Sequence, residues 1–171
     1  WSMLWSEFRV VLSVLCLVAM VGCGFQLQKT GNYPPAMSVT YLEAADQYTV
    51  FYRKLSAALQ NGGVRVSKVP GEATAVLRIL HDETGRRILS VSPRNVPEEY
   101  DVFYIVRYSV SIEGKEVLPE RSLVQTKNYA YDETKVLGKA SEERILRAAI
   151  ADDFVRSVTR QLVMLDDESL N

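Results

Sequence analysis

The chain has 171 residues and a formal net charge of −1. That is the size of one compact domain, without the clearly basic face that nucleic-acid recognition demands. Two cysteines and one histidine provide few metal ligands, and no His/Cys/Asp spacing suggests zinc.

The chain opens on an export segment. Arg9 precedes an apolar run from Val10 to Val21, which is too short for a stable spanning helix. A basic flank, a short apolar stretch and a small residue before a cut describe a signal peptide. The run closes on Met20-Val21-Gly22-Cys23-Gly24. This resembles the lipobox of bacterial lipoproteins, with Met20 where Leu is usual. The resemblance implies cleavage after Gly22, acylation of Cys23 and anchoring through buried methylenes, worth roughly 0.8 kcal/mol each. Gly24 stands where an Asp would mark retention in the inner membrane, which implies the outer membrane. Cys16 falls in the removed part, so the mature chain has no thiol left for a disulfide despite an oxidising compartment. The expected division is a signal peptide over 1–22, a lipidated tether over 23–36, one α/β domain over 37–165 and an acidic tail over 166–171.

Gly24, Gly31, Asn32, Pro34 and Pro35 disfavour regular structure in the tether. Met37 to Leu42 then alternates as a first strand. Asp46 is a candidate helix cap, and Phe51, Leu55, Ala58 and Leu59 make one helical face. Gly62-Gly63 stops that helix. Val64 to Val66 follows as a short strand, completing a β-α-β unit with parallel neighbours. Ala75, Leu77 and Ile79 alternate in the next strand, and Asp82 to Gly85 reads as a turn into a hairpin return over Ile88 to Ser92. After Pro93 to Pro97 comes the longest alternating run. It places Tyr100, Val102, Tyr104, Val106, Tyr108, Val110 and Ile112 on one face. Glu113-Gly114-Lys115 is a turn, and Leu123 to Tyr131 a further strand with one wet face. Ser141 is a candidate cap for the last helix, with Glu142 and Glu143 in its first turn. Leu146, Ile150, Phe154, Val158, Leu162 and Leu165 recur at helical steps and must pack on the sheet.

Strand, helix, strands, helix gives an α+β fold. We read a two-layer sandwich, with two helices on one face of a mixed, mostly antiparallel sheet of four to five strands. Nothing in the sequence resembles a catalytic constellation or a cofactor motif, so no enzyme activity and no cofactor are expected. His81 stands beside Asp82 without a nucleophile, and Gly62-Gly63 is better explained as a helix stop than as a phosphate loop.

Several short motifs recur here in one order: Gly22-Cys23-Gly24-Phe25-Gln26-Leu27, a helix ending in Asn61-Gly62-Gly63-Val64, Glu99-Tyr100 opening the long strand, and Leu137-Gly138-Lys139 before the last helix. Together they resemble the LptE family of lipopolysaccharide-assembly lipoproteins across most of residues 22–165. The resemblance implies a lipid-anchored subunit of the outer membrane that sits inside the lumen of the β-barrel LptD in a 1:1 complex. It also implies help in assembling that barrel and binding of lipopolysaccharide. Two basic positions implicated in ligand contact in the family fall at or near Arg94 and at Lys139. The first is offset, because Pro93 occupies the aligned place. Arg offers a flat fork to phosphate oxygens and Lys a mobile point charge. Ordinary solvated cations are the alternative for both, and Arg86, Arg87 and Arg107 are further members of a basic rim. The tyrosine row reads as core packing under helices, with contact to a barrel wall as the other option. An alternative function is a periplasmic lipoprotein accessory subunit of a phospholipid or other lipid transport system.

Overall fold

The computed structural model describes residues 33–131 and 136–165. Cys23, the signal segment, most of the tether and the acidic tail lie outside the described residues. Strands β1 (Val39–Ala44), β2 (Arg65–Ser67), β3 (Ala75–Val91), β4 (Pro97–Ile112) and β5 (Lys115–Ala130) form one sheet in the order β2-β1-β3-β4-β5. β1 pairs in parallel with β2 and β3, whereas the much longer β3–β4 and β4–β5 ladders are antiparallel. Helices α1 (Val50–Asn61) and α2 (Val136–Val163) cover one face, as the sequence predicts.

The core lies between that face and the helices. Leu42, Leu77, Val102, Tyr104, Val106, Tyr108 and Val110 are fully buried beneath Phe51, Leu55 and Leu59 of α1 and Ile150, Val158 and Leu162 of α2. Tyr104 meets Phe154 edge to face, with ring centroids 5.7 Å apart, a geometry that aligns ring edge with ring face. The tyrosine row is thus core packing. Burial raises the phenol pKa of both Tyr104 and Tyr108, and the neighbouring Asp82 adds to the effect on Tyr104. Both stay neutral and use their hydroxyls locally: Tyr104 Oη accepts from the Phe51 N–H at 3.3 Å, and Tyr108 Oη donates to Gln161.

Four boundaries differ from the sequence reading, each for a physical reason. Asp46 does not cap α1. Its carboxylate accepts from the Tyr48 N–H at 2.7 Å in a local turn, and Thr49 caps instead, accepting from the Tyr52 N–H at 3.1 Å while donating to Asp82 at 2.5 Å. The supposed turn at Asp82 to Gly85 does not exist, because β3 runs straight through it. Asp82 serves the α1 cap, and Gly85 makes room for the Phe103 ring opposite. The chain reverses at Ser92 to Val96 instead, where Asn95 adopts φ +60° and the Ser92 N–H donates to Val96 O at 2.8 Å. β5 starts eight residues before Leu123, at Lys115, because an edge strand tolerates Pro119. Finally, α2 begins at Val136, so Ser141 is not its cap and Glu143 lies in its body.

Tyr33 and Ala36 pack against the core, and Pro34 and Met37 are buried. Packing therefore begins within the last residues of the expected tether. The Thr74 hydroxyl donates to Ala36 O at 2.6 Å, and the Glu113 N–H to Thr74 O at 2.9 Å. The chain thus joins the sheet at the end that holds the β4–β5 turn.

A Cβ added at Gly85 would lie 2.6 Å from Phe103 Cζ, inside any tolerable contact. Gly85→Val is expected to cost about 1–3 kcal/mol through overpacking, read as a lower urea midpoint. Adding Phe103→Ala should return part of the loss. An unchanged midpoint would contradict this packing.

Candidate functional site

The far end of the long strands carries the sequence-predicted ligand residues. Arg94 sits in the β3–β4 turn and is exposed. Among the described residues it forms no ion pair. The other predicted rim arginines are matched. Arg86 reaches Glu143 at 3.3 Å, Arg87 donates from Nε and Nη2 to Asp101 at 3.2 Å, and Arg107 meets Glu120 at 3.0 Å. The Arg107–Glu120 pair is exposed and adds little stability, whereas Asp101 is buried; together the pairs neutralise three guanidinium groups. Arg94 is left without a carboxylate partner among the described residues.

Lys139 lies within α2, in its first turns rather than in a preceding loop, since the helix starts at Val136. Its side chain is outside the description. α2 runs back over the sheet from this end: Glu143 meets Arg86, Phe154 meets Tyr104 and Gln161 meets Tyr108. Lys139 precedes Glu143 by one turn, about 6 Å along the axis. Its backbone therefore belongs to the same half of the molecule as Arg94.

An aromatic cluster braces this end. Tyr100 stacks on Tyr129 at 5.8 Å and meets Tyr131 edge-on at 5.3 Å. The Arg86 guanidinium lies 5.1 Å from the Tyr100 ring centroid, a cation–π contact. Its pKa is raised, first by hydrogen bonding with Tyr129 and also by Glu143. β3 and β4 are thereby tied to each other and to α2 ahead of the turn that carries Arg94.

Sequence reasoning missed the apolar part of the site. Ile88, Leu89 and Val91 are 54, 48 and 50% exposed. Their signal was Ile88 and Leu89 side by side, where a half-buried strand would alternate. A free cation beside exposed aliphatic side chains suits an amphiphile with an anionic head. The helix-free face of the sheet is a second apolar surface: Phe103 and Ile105 are half-buried there and Val124 is 64% exposed. His81, on the same strand system, meets Glu83 at 3.0 Å. Among the described residues no group of three His, Cys, Asp or Glu side chains converges to hold a metal, and no helix is long and apolar enough to cross a membrane.

A family model described as LptE, lipopolysaccharide-assembly, matches residues 37–162, nearly the whole folded unit. The chain is 26% identical over 160 residues to the LPS-assembly lipoprotein LptE of Yersinia enterocolitica, covering 92% of this chain and 77% of that protein. Among solved structures it is similar to the rare lipoprotein B of Shewanella oneidensis, with TM-score 0.59 and 26% identity over 74% of this chain and 98% of that one. It also shares its fold with lipoprotein B of Nitrosomonas europaea, with TM-score 0.66 and 21% identity over 82% and 90% of the two chains.

Proposed function

Because the chain belongs to the LptE lipopolysaccharide-assembly family, we propose that it is an outer-membrane lipoprotein, anchored at Cys23, that plugs the β-barrel LptD and binds lipopolysaccharide on its way to the outer leaflet. The observation that carries the ligand half of this reading is Arg94, a cation without a carboxylate partner among the described residues, beside exposed Ile88, Leu89 and Val91. Lipid A combines phosphates with acyl chains, and that end offers a complement to each. Lys139 supplies a second positive charge nearby. The plug half is supported by the helix-free sheet face. Phe103, Ile105 and Val124 give it apolar contact area, and the Arg78–Glu43 pair at 2.7 Å and the Arg107–Glu120 pair leave little net charge to desolvate.

The test measures lipopolysaccharide binding by the full-length protein with its barrel partner. Arg94→Glu and Lys139→Glu should each weaken binding about tenfold, the worth of one charge-assisted hydrogen bond, while the Arg94 variant keeps the parent thermal midpoint because that residue is exposed. Equal binding of phospholipid and lipopolysaccharide would overturn the ligand reading. Recovery from gently solubilised membranes without any barrel would overturn the plug reading.

A further inference from the structure

A second site lies at the opposite edge of the sheet. β2 has only three residues, so the sheet stops short beneath the flank of α1. The gap is a cleft of about 490 Å³, within the size range of small-molecule sites. Tyr41, Tyr52 and Ser67 line its inner wall, and Tyr48, Arg53 and Lys68 its rim. Ser67 is buried, Tyr41 and Tyr52 are half-buried, and Tyr48 is 86% exposed. Burial and the neighbouring Tyr41 both raise the Tyr52 pKa, so the Tyr52 phenol stays neutral on the wall it shares with Tyr41.

The cations at this cleft differ from those on the faces beside it. On the adjacent faces Lys54 meets Asp152 at 2.6 Å and Arg78 meets Glu43 at 2.7 Å. Among the described residues, Arg53 and Lys68 have no carboxylate partner. The nearby Glu72 is hydrogen-bonded by Ser67 at 3.4 Å, not by either cation. The lining thus combines three aromatic rings, two uncompensated cations and hydroxyl groups. Tyrosine joins an apolar ring face to a polar tip, which suits the C–H face and hydroxyl rim of a sugar. Arg53 and Lys68 suit an oxyanion.

We propose that this cleft binds an anionic oligosaccharide, stacking its rings on Tyr41, Tyr48 and Tyr52 and holding its phosphate or carboxylate with Arg53 and Lys68. The site is separate from the Arg94 end. Val76, opposite Tyr41 in the sheet, and Val91, before the Arg94 turn, are about 50 Å apart along β3 at roughly 3.3 Å per residue. The proposal therefore does not depend on the assignment of Arg94 and Lys139.

Calorimetric titration of the full-length protein in detergent tests it with three probes: a phosphorylated lipid-free core oligosaccharide, the same saccharide dephosphorylated, and a carboxylate-bearing glycan fragment. At least one anionic probe should bind, and which one binds identifies the source of the charge. The Arg53→Glu/Lys68→Glu variant should weaken that binding at least about tenfold, and Tyr48→Ala about threefold. All three residues are exposed, so the thermal midpoint should not move. Arg94→Glu should leave this affinity unchanged, which separates the site from the one at the far end. The proposal is overturned if neither anionic probe binds, if the double charge reversal leaves the affinity of the bound probe unchanged, or if an acidic extended peptide occupies the cleft while the saccharides do not.

Discussion

Phe154→Ala should come close to unfolding the domain. Phe154 is 4% exposed and lies where α2 crosses the middle of β4, its ring against Tyr104. Truncation removes its transfer free energy and leaves a cavity between two rigid layers. Losses of this kind run to about 3–5 kcal/mol, a large part of the roughly 5–15 kcal/mol that holds a domain together. The neighbours cannot collapse into the space easily, because Tyr104 is held by the Phe51 N–H and Tyr108 by Gln161. Urea denaturation of the full-length protein should show the midpoint falling with little change in slope. A loss below about 1 kcal/mol would mean that α2 does not depend on this contact.

Cys23→Ser should change location rather than fold. Cys23 lies outside the described residues, and the described domain makes all its core contacts without it. The variant has no thiol at position 23 to receive the lipid of the proposed anchor, whose buried methylenes, at roughly 0.8 kcal/mol each, would be lost together. Cell fractionation should then find the protein away from the outer membrane, with a circular dichroism spectrum and urea midpoint like those of the parent domain. Retention in the membrane fraction with an unmodified residue 23, established by mass spectrometry, would refute lipid anchoring as the localising device.

Periodicity served well wherever a face is continuously buried. The alternation from Tyr100 to Ile112 and the helical recurrence from Leu146 to Leu165 each mark a surface facing one core, and the structure joins those two surfaces. Local composition misled where residues that favour turns are used for long-range contacts. Asp82 is bonded to Thr49, far earlier in the chain, and Gly85 lies under Phe103 of the next strand. Neither partner is visible from the neighbouring sequence, so Asp82 to Gly85 mimics a turn. Pro119 concealed the first half of β5 in the same way, since its tolerance depends on that strand lying at an edge. At the candidate site, Arg94 was legible only through the ordered motifs around it. That Arg86, Arg87 and Arg107 are neutralised by Glu143, Asp101 and Glu120 was not legible, because each pairing crosses between elements. The tyrosine cleft was invisible for a related reason: Tyr41, Tyr48, Tyr52 and Ser67 come from β1, the loop after it, α1 and β2, and only the fold brings them together.

Pro34 and Ala36 are seated beside the β4–β5 turn, and Arg94 occupies the turn at the other extremity. Laid along β3, that separation of about 50 Å exceeds the roughly 30 Å hydrocarbon thickness of a bilayer. The molecule is consequently a vectorial spacer. Its length along β3 is enough to hold the exposed guanidinium of Arg94 a full leaflet-to-leaflet distance from where the chain enters the fold.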